Sequence, residues 1–428
     1  MTREHGARPR RMPGALHVTL FSCSLAAVTL SSVLVVSRTT DYVQQAVVVS
    51  ADSTSNISLP NGKLLSGTVR NPSGSTVMGA IVQAVSSDGF VAQQTVTGVT
   101  GGFQVPLRPG TYRLEVRPPF PDSDDLASFP RLVPANAGTF QVKGDTSAGD
   151  VTLPEGHLVT GAVSSTVGTA RNMVGWMFAT PTDGASPWLV TPAVFGTGTN
   201  SRKFTLALPA GKFNLLYAGA QGFTTNWSMV PMSSYGTGKI NVTKDMTANV
   251  KVGSGTKLSG TVKDSTGKDL NGVLCIKKNG SSPFTDGGST GMFVMNGKFI
   301  GYLPTGTYDA TFVPIFDSAY TGRGTKTDLS FTMTAAAKTL SIKATDGVVL
   351  SGKITNAKGK VVKTASIAAF PTGADPESLS ALPISAKADQ KTGAYRLCVP
   401  AGTYDIQATP IGFSELTALE RLAASLRN

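Results

Sequence analysis

Apolar and polar positions alternate with a period of two through short runs of the chain, and these runs recur in step. The segment LSGTV (65–69) puts Leu65, Gly67 and Val69 on one side of an extended backbone and Ser66 and Thr68 on the other. VTGAV (159–163), LSGTV (258–262) and LSGKI (350–354) repeat it. A period of two with one apolar side predicts a strand half-buried against a core, and the central glycine predicts close approach by another segment. A second pattern keeps pace: LRPGTYRLEV (107–116), LPAGKFNLLY (208–217), LPTGTYDATF (303–312) and VPAGTYDIQA (399–408). Alternating runs flank each shared glycine, at 110, 211, 306 and 402. A proline fixes one backbone angle beside it, and glycine permits the positive φ that tight reversals use. The pattern predicts a β-hairpin returning Tyr112, Phe213, Tyr308 or Tyr404 to a core.

The repeat steps by roughly 100 residues, a domain-sized interval. Apolar segments ahead of each LSG motif complete the unit: Val47–Val49 and Ile57–Leu59, Phe140–Val142 and Val151–Leu153, Ile240–Val242 and Val250–Val252, and Leu340–Ile342. The expected organisation is all-β, with four tandem antiparallel Ig-like or prealbumin-like sandwiches at 44–138, 139–237, 238–338 and 339–413. Short joints predict a semi-rigid rod about 150 Å long. Another phase is open to the same residues. If Val47–Leu59 belongs to a preceding sandwich, unit one has a spare edge and unit four lacks its closing strands, which would allow head-to-tail strand donation. At the C-terminus the period changes: Leu416, Leu419, Leu422, Ala423 and Leu426 follow Ser414 at helical spacing and predict a short helix over 414–428.

Composition sharpens this picture. Charged residues are only 15%, while Gly (47) and Pro (25) are frequent, as many short strands joined by tight turns require. The net charge of +12 is spread over lysine-bearing turns, which suits weak attraction to acidic polymers and gives no nucleic-acid motif. Arg8, Arg10 and Arg11 precede an uncharged stretch from Ala15 to Val36, so residues 1–37 read as a signal peptide or an N-terminal membrane anchor. Either places the remainder outside the cytoplasm, secreted or at the cell surface or periplasm, with membrane contact only through that segment. Cys275 and Cys398 fall in different units, and no disulfide is expected between them.

LSGTVRNPSGSTVMGAIVQAV (65–85) followed by TGGFQVPLRPGTYRLEV (100–116) resembles the bacterial carboxypeptidase regulatory-like domain, of prealbumin-like fold. The third and fourth units share the resemblance through LSGTVKDSTGKDLNGVLCI, GKFIGYLPTGTYDATF, LSGKITNAKGKVVKTASI and TGAYRLCVPAGTYDIQA. The second departs from it, with Lys212-Phe213 where the others carry Thr-Tyr. The resemblance implies surface, stalk or adhesive modules, sometimes accessory to enzymes.

Catalytic chemistry finds little support. The only histidines are His5, His17 and His157, and no H-E-x-x-H, G-x-S-x-G, P-loop or dinucleotide fingerprint occurs. No enzyme activity and no cofactor are expected. Cys275 is expected at the inward position aligned with Val82. Asp122, Asp124 and Asp125 crowd one loop and are candidate calcium ligands. All three tryptophans, Trp176, Trp188 and Trp227, fall in the second unit. Aligning MVGWMFAT (173–180) with MGAIVQAV (78–85) turns Trp176 and Phe178 outward, an apolar stripe suited to a glycan or another envelope protein. The expected function is thus an exported stalk, adhesin-like or envelope structural protein; the alternative is a binding module using the aromatics of the second sandwich.

Overall fold

The computed structural model describes residues 38–87, 91–119, 131–165, 175–182, 202–219, 238–252, 255–279, 289–316, 320–374 and 379–410. The signal peptide or anchor expected at 1–37 and the helix expected at 414–428 lie outside the described residues. Within them the regular structure is β throughout, apart from a 3-10 turn at Leu379–Ala381.

The chain opens with β1 (Tyr42–Val49), β2 (Ser53–Thr54) and β3 (Ile57–Leu59). The first full set follows: β4 (Lys63–Arg70), β5 (Ile81–Ser86), β6 (Val91–Val96), β7 (Gly102–Leu107), β8 (Gly110–Arg117), β9 (Ala135–Val142) and β10 (Thr146–Thr152). The second comprises β11 (His157–Ser165), β12 (Gly175–Pro181), β13 (Arg202–Leu208), β14 (Gly211–Gly219), β15 (Gly238–Val242), β16 (Met246–Thr247) and β17 (Val250–Val252). The third runs β18 (Thr256–Lys263), β19 (Gly272–Lys278), β20 (Ser289–Val294), β21 (Lys298–Leu303), β22 (Gly306–Phe316), β23 (Thr327–Met333) and β24 (Lys338–Lys343). The last has β25 (Val348–Asn356), β26 (Ser366–Pro371), β27 (Ile384–Lys387), β28 (Ala394–Val399) and β29 (Gly402–Thr409).

Each set folds as two facing sheets. In the first, β10-β4-β7 faces β6-β5-β8-β9. Leu65, Val69, Phe103, Val105, Tyr112, Leu114 and Val116 meet between them as one apolar cluster. Alternation along each strand supplies one inward face per sheet, which is why the period-two runs became strands. The sandwiches are not wholly antiparallel. In each of the first three, the last strand runs parallel to the LSG strand, as β10 does beside β4, β17 beside β11 and β24 beside β18.

Pairing corrects the phase of the repeat. The hairpin β9–β10 joins β8 and β4, inside the first sandwich, and β23–β24 joins β22 and β18 in the third. Boundaries at 138/139, 237/238 and 338/339 would cut a closing hairpin away from the sandwich it completes. The same rule leaves the last set without closing strands, and the chain's first three strands supply them. β1 pairs antiparallel with β29, while β2 and β3 pair parallel with β25. Only Pro60–Gly62 separates this hairpin from β4, so the first and last sandwiches are neighbours.

The third and fourth sandwiches are also continuous. β22 extends to Phe316 and pairs in parallel with β27, and the two interiors form one apolar cluster that includes Phe312, Phe316, Ile384 and Ile406. The first and second sandwiches keep separate clusters.

Candidate functional site: the strand-closure junctions

The residues shared by all four repeats are spent on closure. At the LSG glycine the parallel closing strand passes directly over the backbone. A Cβ on Gly67 would stand 2.6 Å from the carbonyl oxygen of Gly149, and on Gly161, Gly260 or Gly352 it would overlap the carbonyl of Ala248, Leu340 or Ser55. The close approach expected at this glycine is thus made by the closing strand. At the turn glycines φ is positive at Gly211 (+154°) and Gly306 (+150°) but not at Gly110 or Gly402. What unites the turns is the following aromatic residue. The hydroxyls of Tyr112, Tyr308 and Tyr404 donate to the carbonyls of Arg108, Pro304 and Pro400, at 3.0, 2.9 and 2.7 Å. Phe213 has no hydroxyl for this bond. Tyr308→Phe is expected to cost about 1 kcal/mol, and Phe213→Tyr to stabilise the second sandwich by a similar amount, both readable in chemical denaturation.

A second recurring arrangement joins successive sandwiches. Arg38 makes two hydrogen bonds to Asp145, both 2.8 Å, and Arg131 makes two to Asp245, at 2.9 and 2.7 Å. Arg323 grips Asp52 in the same two-pronged way. Each aspartate begins the closing strand of one sandwich, and each arginine precedes the closing hairpin of the sandwich before it. The aspartates also accept the backbone N–H of Leu64, Leu158 or Val349, each at 3.0 Å. Behind the clamp, the N–H groups of Gly62, Gly156 and Gly347 donate to the carbonyls of Arg38, Arg131 and Arg323. The hydrogen bond from the guanidinium, then the one from the backbone, hold Asp52 and Asp145 below the usual carboxylate range and Asp245 at about 2. These side chains are half exposed, so each pair adds little stability; the two-pronged geometry fixes orientation. Between the second and third sandwiches the aspartate position is Ala337, by the register that sets Lys338 opposite Leu258 and Thr146 opposite Leu65. Sequence reasoning missed the clamp, although an aspartate stands ahead of three motif glycines: Asp52 before Gly67, Asp145 before Gly161 and Asp245 before Gly260.

None of the residues predicted as ligand or metal sites is one of these junction residues. Asp122, Asp124, Asp125, Trp188 and Trp227, and the side chains of Trp176 and Phe178, lie outside the described residues. The expected register of that strand does occur, because Ala179 pairs with Leu215 and both are buried in the core. Yet the positions equivalent to Phe178, namely Gln83, Cys275 and Ala368, are all buried although they face away from their own cores. Cys275 itself differs from expectation. Leu274, paired with Phe312, takes the inward position aligned with Val82, and Cys275 pairs with Thr311 one residue along. Burial pushes the thiols of Cys275 and Cys398 up to about 12 and about 11, the reverse of what a nucleophile requires. Both are free. Among the described residues no group of three His, Cys, Asp or Glu could hold a metal, and no helix is long and apolar enough to cross a membrane.

One buried ionisable group stands on that covered outer face. Glu115 lies opposite Gln83, and neither Glu115 Oε2 nor Gln83 Oε1 has a hydrogen-bond partner among the described residues. Burial raises the Glu115 carboxyl to about 7, against the opposing pull of Arg113. A raised value means the folded state holds the proton more tightly. Stability is therefore complete below about 4.5, the unfolded value, and falls as pH rises to about 7. Glu115→Gln supplies a donor at every pH. It is expected to remove that decline and raise the melting temperature at pH 7.5, as scanning calorimetry across pH 4–8 would show.

With the geometry in place, the comparisons are specific for one part of the chain. Residues 65–154 match the carboxypeptidase regulatory-like domain. The matched span runs from within β4 to just past β10, so the match takes in the first sandwich together with its own closing hairpin. The domain type is not itself catalytic. No curated protein matches the chain. Among solved structures, similarity is found to the Bacillus anthracis TIE protein, with 14% identity, 66% of this chain, 51% of that chain and a TM-score of 0.18. The chain thus spans about half the length of that protein. BcpA, the major pilin subunit of Bacillus cereus, aligns at 11% identity over 66% of this chain and 99% of its own, with a TM-score of 0.19. A streptococcal ancillary pilin aligns at 13% identity over 66% and 98%, with a TM-score of 0.17.

Proposed function

We propose that this chain is a non-enzymatic, exported structural protein of the cell envelope or cell surface, in the manner of a stalk or adhesin scaffold. The observation that carries the reading is where the repeated residues go. Motif glycines, turn tyrosines and clamp arginines and aspartates all build sandwiches or join one to the next. The basic residues Arg8, Arg10 and Arg11 ahead of the uncharged stretch 15–36 support export. Partners of such a scaffold are glycans or other envelope proteins rather than a small substrate. A full-length chain carrying a tag after Asn428, expressed in a bacterial host, tests this. Labelling of intact cells or recovery from the envelope fraction or medium is expected. Retention of the tag in the cytoplasm would overturn the reading.

A further inference from the structure

The hairpin that closes the last sandwich is the one closing hairpin that precedes its sandwich in the chain, and its contacts fall into two separable sets. The hairpin itself touches the last sandwich and the residues leading into it. Tyr42–Val49 pairs with Gly402–Ala408, and Ser53–Leu59 pairs with Leu350–Asn356. Asp405 accepts the N–H of Ala46 at 2.9 Å, Asn56 accepts that of Lys353 at 3.0 Å, and Tyr395 donates to the carbonyl of Ser55 at 2.6 Å. The flanks of the hairpin touch the first sandwich instead. Arg38 holds Asp145, and buried Asp41 receives Arg108 at 3.2 Å. No contact in the first set requires hairpin and sandwich to belong to one chain. The link Pro60–Gly62 resembles the internal link Pro154–Gly156: Gly62 and Gly156 make the same hydrogen bond, and a Cβ on either would strike the carbonyl of Leu107 or Leu208.

From this we infer that the hairpin of one chain closes the last sandwich of a second copy, joining chains head to tail by strand exchange. Each chain then carries a donor ahead of its first sandwich and an acceptor at its last. The new junction reproduces the clamp and the link already used inside the chain. An acceptor left open would expose Leu350, Ile354, Tyr404 and Ile406, all buried in the closed form, so it takes a hairpin from whichever chain offers one. The choice between its own hairpin and a neighbour's is set by concentration against tether geometry. The inference deepens the structural role proposed above and can fail while that role stands, since a chain closed on itself can still be a surface protein.

Val48 is 72% exposed and pairs with Thr403, so cysteines there disturb no core. Two full-length chains of different mass, one Val48→Cys and one Thr403→Cys, would be unfolded, mixed, refolded together and oxidised. A disulfide between positions 48 and 403 of these chains, identified by peptide mapping, can form only between copies. It is expected, and the fraction of chains that carry it should increase about tenfold for a tenfold rise in protein concentration while exchange is the minor form. The Val48→Cys/Thr403→Cys double variant is expected to link within one chain on dilution and between chains when concentrated. Closure of the double variant with no mixed disulfide at any concentration would overturn the inference. So would failure of both, because the pairing of the two strands would then be wrong.

Discussion

Gly352→Val is expected to expel the N-terminal closing hairpin from the last sandwich. The first carbon of any side chain at Gly352 would occupy the space of the Ser55 carbonyl, and a backbone strand cannot yield as a flexible side chain does. Once the whole hairpin β1–β3 lifts away, Val49, Ile57 and Leu59 leave the core in which they are 2%, 5% and 0% exposed. Their burial carries on the order of 5 kcal/mol. Hydrogen exchange is the direct measurement: amides of 53–59 and 350–356 should lose protection, while those of 65–69 keep it. Gly144→Ala is the control, because a Cβ there meets nothing within 4 Å, and its stability should stay within about 0.5 kcal/mol of the parent. Full protection of 53–59 in the valine variant would show that the closing strand is not seated over Gly352.

Removing the ring at position 316 is expected to weaken two sandwiches together. Phe316 is 2% exposed, lies where β22 pairs with β27, and stacks on Tyr320 with ring centroids 5.3 Å apart. Phe316→Ala should cost about 3–5 kcal/mol, the usual range for deleting a buried phenylalanine. Because the third and fourth interiors are continuous, calorimetry of the parent should resolve three unfolding events rather than four. The variant should lower only the one that contains both sandwiches. Phe204→Ala, in the separate core of the second sandwich, should lower a different event by a similar amount. Movement of a transition confined to β18–β24 would show that the two interiors unfold independently.

Much of the architecture was legible because the period-two pattern dictates which residues face a core. Leu65, Val69, Tyr112, Leu114 and Val116 are buried where alternation places them. What alternation cannot convey is ownership. The run Val47–Val49 reads the same whether it closes the sandwich after it or one that lies hundreds of residues away. The clamps were illegible for a related reason. Arg323 and Asp52 are exposed, unremarkable residues until the fold brings them together. Cys275 shows the limit within a single strand: an offset of one residue moves a side chain from the core face to the other, and Leu274 holds the inward place. The outward, open placing expected of Phe178 meets a related limit, since Gln83, Cys275 and Ala368 at equivalent positions are covered by neighbouring structure that a strand pattern does not report.

The hairpin's position also sets a timetable for assembly. Its strands are synthesised first, and β29, against which β1 pairs, is completed last. At the usual 5–20 residues per second this interval is roughly 20–70 s. Throughout it the valine-rich β1 has no sheet edge of its own to join, whereas the first three sandwiches can close as soon as their own hairpins are made. Final folding of this chain therefore waits on β29, and a nascent chain passes through a stage in which β1 is made but still unpaired.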